Sequence, residues 1–303
     1  MTEKLYVSSS PHFRGKNSTA RIMGNVLIAL IPAVVAGTIL FGWRVLLIVA
    51  FCNVSCVLLE YLCRKVMKRE NTIGDLSAMV TGTLLALSLP VTIPLALAFF
   101  GCAVAIVVAK QFFGGLGQNF INPAVTGRVA MAVSFPSQMT DWSLLNGALD
   151  AVTAATPRAP DGQWTYLDLF LGNVNGSVGE TCKIAILAGF VYLTVRRVIN
   201  PIIPVLYVGS VAALSPLFGQ DPLFEVLSGG LLFVAVFMAT DYVTSPLSMK
   251  GKAIYAVGLG VITILIRVYA SLPECVSFAV MLMNILTPHI DRLTVPKPFG
   301  ASA

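Results

Sequence analysis

Charge is what this 303-residue chain has least of: Asp, Glu, Lys and Arg together make up only 11% of it. Soluble domains carry about 25% charged residues, so the composition excludes a disordered chain, a nucleic-acid module and an ordinary cytosolic enzyme. Histidine is nearly absent, with His12 and His289 alone. The six cysteines are scattered through apolar stretches and do not form the dense framework of a small secreted domain. Cys52, Cys56 and Cys63 share roughly one helical face. An iron–sulfur cluster needs four thiolates, or two with histidines, so these thiols read as small packing residues. No Walker loop, Rossmann fingerprint, HExxH or nucleophile elbow is present, and the Gly114–Gly117 run follows no strand. Neither a metal centre nor a catalytic residue is expected.

What the chain has is apolar surface, with 56% hydrophobic residues and a mean hydropathy of +0.84. A membrane-crossing helix needs about 20 apolar residues, fewer where protein surrounds it. Candidate spans are Gly24–Phe41, Val45–Leu62, Leu76–Leu89, Ile93–Val108 and Phe120–Phe135. After a polar stretch follow Thr181–Val195, Ile202–Leu214, Leu223–Ala239, Ile254–Tyr269 and Val276–Leu286. The fold class expected is therefore an all-α polytopic membrane protein of about ten transmembrane helices.

Cationic loops face the cytoplasm. With the N-terminus inside, fifteen Lys and Arg fall on the cytoplasmic side and four outside (Arg44, Arg158, Lys183 and Arg267), while Arg128 lies within the fifth span. The acidic loop carrying Asp141, Asp150, Asp161 and Asp168 then lands outside. Topology accounts for the net charge of +6, so no nucleic-acid partner is expected.

Thr81-Gly82-Thr83-Leu84-Leu85 and Ser228-Gly229-Gly230-Leu231-Leu232 open similar stretches that close on Asn122-Pro123 and Thr287-Pro288. Five spans per half make an inverted repeat, an arrangement that places ligand sites at helices broken by Gly or Pro. The expected organisation is a cytoplasmic segment over 1–23, membrane repeats over 24–136 and 179–288, an extracytoplasmic loop over 137–178 and a cytoplasmic tail over 289–303. Glu60, Asp75 and Lys110, near span ends, read as interfacial.

The most informative string is Asn175-Gly176-Ser177-Val178-Gly179-Glu180-Thr181-Cys182, at the outer mouth of the sixth span. Locally it reads as a helix start, with Ser177 as cap and Glu180 closing a capping box. A Gly-rich helix N-terminus is equally an anion site suited to phosphate.

This string resembles the covalent flavin attachment segment of the RnfD/NqrB family of membrane subunits. Three more strings carry the resemblance: Ser9-Ser10-Pro11-His12, Gly114 through Ala124 (GGLGQNFINPA) and Ala239 through Pro246 (ATDYVTSP). Cys182 stands where the family usually has Ser. The short N-terminal segment is similar to the Rnf branch, not the longer NqrB one.

The resemblance implies an electron-transfer subunit of an ion-translocating ferredoxin:NAD⁺ oxidoreductase in a bacterial inner membrane, coupled to Na⁺ or H⁺ transport. It implies FMN esterified to Thr181 by a separate flavin transferase, with Gly179, Glu180 and Ser177 around it. It further implies a non-covalent riboflavin, for which Asn122, Asp241, Thr244 and Ser245 supply polar groups at helix breaks. Asp241 also reads as a solvated helix end, and Glu180 as an acid screening Lys183. Arg128, costly in lipid, pairs with a flavin phosphate or ring carbonyl, makes a structural pair, or snorkels to the cytoplasmic interface. Implied partners are the flavin-bearing, iron–sulfur and NADH-binding Rnf subunits and membrane lipid. The alternatives are an NqrB-like quinone-reductase subunit and a small-solute permease built on the same inverted repeat.

Overall fold

The computed structural model describes residues 18–141, 165–174, 176–270 and 274–294, and among these there is helix and no strand. The Ser9–His12 string and most of the acidic loop lie outside the described residues. The helices are α1 (Thr19–Phe41), α2 (Arg44–Val66), α3 (Ser77–Leu87), α4 (Leu95–Ala103), α5 (Pro123–Ser134), α6 (Pro136–Met139) and α7 (Tyr166–Leu171). They continue as α8 (Lys183–Val195), α9 (Ile202–Leu214), α10 (Pro222–Leu227), α11 (Leu231–Phe237), α12 (Met249–Tyr269) and α13 (Cys275–Thr294).

Three helices, α1, α2 and α12, are each long and apolar enough to cross a membrane. Their hydrophobicity is turned outward. Ile28, Ile31, Val35 and Ile39 are exposed along one face of α1, as are Ile254, Val257, Val261 and Leu265 along α12. Ala29, Leu30, Ala33 and Gly37 of α1 face the interior. Lipid solvates the large side chains, and small residues let backbones approach.

Starts and stops follow local chemistry. Asn122 caps α5, its Oδ1 accepting from the N–H groups of Ala124 (3.0 Å) and Val125 (3.3 Å), with Pro123 in the first turn. α3 stops two residues short of Leu89-Pro90, where proline cannot continue the ladder. The Leu223–Ala239 stretch is not one helix: it breaks at Ser228–Gly230 into α10 and α11. α12 starts at Met249, five residues before the expected Ile254, and so takes in Lys250 and Lys252.

α4 continues as a π-helix over Val104–Gln111, in which the Phe112 N–H bonds the Val107 carbonyl at 3.0 Å. This stretch directs both Lys110 and Gln111 at Glu60 of α2. Lys110 Nζ lies 2.9 Å from Glu60 Oε2 and donates to Ser77 Oγ at 2.6 Å, while Gln111 Nε2 donates to Glu60 Oε1 at 3.0 Å. Glu60 and Lys110 are therefore not interfacial, as expected from their place near span ends, but 0% and 1% exposed. Cys52 and Cys56 pack in the same region beside Cys102, whose Sγ approaches the Cys52 carbonyl at 3.8 Å.

Removing one partner of a buried ion pair leaves an uncompensated charge, whereas exchanging both for apolar residues is often neutral. Glu60→Ala is thus expected to cost about 3–5 kcal/mol and Glu60→Leu with Lys110→Met much less. Thermal unfolding of the detergent-solubilised protein checks the order.

Candidate functional site

The Gly176–Thr181 segment is held by hydrogen bonds that α3 leaves unused. The last carbonyls of a helix have no partner within it. Here Leu87 accepts from the Gly179 N–H at 2.7 Å and Leu89 from the Val178 N–H at 3.3 Å. Only glycine fits at 179, where a Cβ would stand 2.7 Å from Leu87 Cβ and 3.1 Å from the Phe233 ring.

This anchoring overturns the capping-box reading of Ser177 and Glu180. The next helix, α8, begins at Lys183, with Cys182 at its cap position and no side-chain cap. Ser177 Oγ is buried without a hydrogen-bond partner. Glu180 turns inward to the Arg128 guanidinium, so its carboxylate is not free to cap. Thr181 follows, 2% exposed, its Oγ1 donating to the Val178 carbonyl at 3.4 Å.

Arg128, on α5, is held by two carboxylates. Its Nη1 pairs with Glu180, its Nη2 donates to Glu274 Oε1 at 3.0 Å and its Nε lies 2.5 Å from Glu274 Oε2. Of the readings the sequence offered Arg128, the structure shows the structural pair, made with two carboxylates. Glu274, just before α13, was missed by the sequence reading. The signal was available: it is an acid beside a span, and a guanidinium inside a span needs one. Lys183, counted among outer charges, is 2% exposed, and its Nζ donates to the carbonyls of Glu180 and, at 3.3 Å, Gly229.

A turn covers Thr181 from outside. α7 begins in a capping box between Thr165 and Asp168 and ends at Gly172. Gly172 has φ +96°, a left-handed conformation that favours glycine, and a Cβ there would lie 2.9 Å from the Thr181 and Cys182 backbone. The Thr165 hydroxyl and N–H hold the Asp168 carboxyl below the usual carboxylate range. Its contribution to this turn is present at neutral pH and is lost as pH falls through that lowered value.

Asn122, Asp241, Thr244 and Ser245 form a separate group. Asn122 Nδ2 donates to the Met238 carbonyl at 3.2 Å and to Asp241 Oδ2 at 3.4 Å. Both residues line a largely apolar cavity between α1, α3, α5, α8 and α11, with Ser77, Lys110 and Asn119 on its wall. Thr244 and Ser245 are buried but do not line it, and Thr287 of α13 donates to the Thr244 carbonyl at 3.0 Å. α5 joins the two groups: Asn122 caps its start, and six residues at 1.5 Å rise put Arg128 about 9 Å further along.

The two groups lie toward opposite ends of the bundle. Arg44, opening α2, donates to the Thr92 and Ile93 carbonyls just beyond the α3 break that holds Val178. The other end of α2 carries Glu60, Arg64 and Lys65.

The family model described as "NQR2, RnfD, RnfE family" matches residues 6–300. The chain is 44% identical over 306 residues to the D subunit of the Na⁺-translocating ferredoxin:NAD⁺ oxidoreductase complex of Acetobacterium woodii, covering 98% of this chain and 96% of that one. It is 42% identical over 316 residues to the D subunit of the proton-translocating ferredoxin:NAD⁺ oxidoreductase complex of Clostridium ljungdahlii (97% and 96%). With the D subunit of the ion-translocating oxidoreductase complex of Stutzerimonas stutzeri it shares 38% over 332 residues (95% and 94%).

Gly179→Ala is expected to push the segment off α3, costing about 1–3 kcal/mol by overpacking. A lowered unfolding temperature together with faster alkylation of Cys182 by a maleimide checks it.

Proposed function

Since this chain belongs to the NQR2, RnfD, RnfE family, we propose that it is the membrane electron-transfer subunit of an ion-translocating ferredoxin:NAD⁺ oxidoreductase, coupled to Na⁺ or H⁺ transport, the ions for which the two relatives are named. It sits in the bacterial cell membrane with about ten spans in two inverted halves and both termini cytoplasmic. Two observations support this topology. α2 packs on α3 and α4, and α4 on α5, as α9 packs on α11 and α12, and α12 on α13. The basic residues Arg64, Lys65, Arg196 and Arg197 close α2 and α8, as the positive-inside rule asks of cytoplasmic ends.

Thr181 carries FMN through a phosphoester at the outer face. The residues fit the group. α8 opens with uncapped N–H groups, which bind phosphate. Ser177 adds a buried hydroxyl without a partner, and Lys183, two residues beyond Thr181, adds a buried cation. In attachment, the Thr181 oxygen replaces the leaving group of an activated flavin phosphate supplied by a separate transferase, and the hydroxyl proton passes to solvent. Once bound, the flavin supplies reversible electron storage, and the protein supplies place and potential. A second, non-covalent flavin, riboflavin, occupies the cavity beside Asn122 and Asp241, with α5 running between the two sites. Electrons enter and leave through flavin-bearing, iron–sulfur and NADH-binding partner subunits.

The observation that carries this reading is the Gly179-Glu180-Thr181 segment closing onto an uncapped helix start. Co-expressed with its flavin transferase, the protein is expected to fluoresce as a band on a denaturing gel under ultraviolet light, and Thr181→Val to be dark. A dark wild-type band overturns the assignment.

A further inference from the structure

Around the Thr181 segment the bundle encloses six ionisable side chains whose charges balance, five of them buried and Arg267 partly so. Arg128, Lys183 and Arg267 stand against Glu180, Glu225 and Glu274, with Glu180 5%, Glu274 4% and Lys183 2% exposed. They form one connected group. Arg267 pairs with Glu225 and donates to the Ser228 carbonyl at 3.3 Å, next to the Gly229 carbonyl that Lys183 reaches. At Gly230 a Cβ would fall 2.3 Å from Glu180 Oε1, so the α10–α11 break lies directly against that carboxylate.

Within this group Glu180 is gripped twice. Arg128 holds its carboxylate, and Lys183 holds its carbonyl, the one whose peptide bond leads into Thr181. No other side chain of the described part of the segment is tied to the bundle by a polar contact. Ser177 Oγ has no partner, Gly176 and Gly179 have no side chain, and Thr181 Oγ1 bonds only within its own turn. Arg128 is itself aimed by Glu274, which accepts a hydrogen bond from its Nη2, lies within ion-pair distance of its Nε without hydrogen-bonding it, and leaves Nη1 for Glu180.

We infer that Arg128 and Glu274 are positioning residues for the flavin acceptor: Glu274 fixes the guanidinium, the guanidinium fixes Glu180, and Glu180 sets the Thr181 backbone. This rests on Thr181 being the acceptor. Stability alone is a weak reason for such a cluster, since apolar replacements of buried ion pairs are often neutral or stabilising. The cluster also sets local charge. Glu274→Gln removes one negative charge and almost no volume, and so favours the reduced flavin.

The test uses the full chain co-expressed with its flavin transferase and the other subunits, and compares wild type, Glu274→Gln and Arg128→Lys at matched membrane levels. Arg128→Lys keeps the charge and loses the forked geometry. The expected result is at least a tenfold loss of Thr181-linked flavin per protein in Arg128→Lys. In Glu274→Gln a smaller loss is expected, with a midpoint potential of the attached flavin above that of wild type. Should Arg128→Lys fail to accumulate, Glu274→Gln decides alone through its flavin per folded protein, which falls below wild type and is restored by Glu274→Asp. A labelled wild type with equally labelled variants and an unchanged potential overturns the inference and leaves the acceptor assignment standing. An unlabelled wild type overturns both.

Discussion

A guanidinium inside an apolar bundle has no water to solvate it, and the structure around Arg128 is organised by that constraint. Burying the charge alone would cost many kcal/mol, so carboxylates must come to it. They come from far apart in the chain: Glu180 precedes α8 and Glu274 precedes α13. One side chain on α5 thereby fixes the entry points of two helices in the other half of the molecule. Glu60 and Lys110 answer the same demand toward the opposite end, with the π-helical stretch of α4 turning the lysine into register.

Polar chemistry in this fold collects where helices break. Gly179 and Val178 use the carbonyls that α3 leaves open before Pro90, and Lys183 and Arg267 use those freed at Ser228–Gly229. Backbone groups exposed by a break must be satisfied by protein inside a membrane. The loop carrying Thr181 serves as that satisfying partner, and this is why it lies flat on the end of α3 and does not extend α8 toward Ser177.

Much of this was legible in the sequence. Apolar runs and the breaks at Asn122-Pro123 and Asp241–Pro246 marked where most of the helices lie, and the Gly-Glu-Thr string marked the segment around Thr181. Four things were not read from it, each for a physical reason. Helix ends were cut at lysines, yet α12 runs through Lys250 and Lys252 because long side chains reach water from inside a helix. Ser177 and Glu180 have capping-box spacing, but spacing does not show that a distant arginine claims the acid. Lys110 and Glu60 looked interfacial because a π-turn, invisible in hydropathy, decides which way the lysine faces. Lys183 gained its place only from tertiary pairing, whereas Glu274 left a signal, an acid beside a span, that was passed over.

The turn at Gly172 has a temporal consequence. With that turn seated on the Thr181–Cys182 backbone, the threonine oxygen is closed to any visiting protein. Solvent reaches that oxygen only when the turn lifts, so its accessibility over time is set by the opening of that one turn.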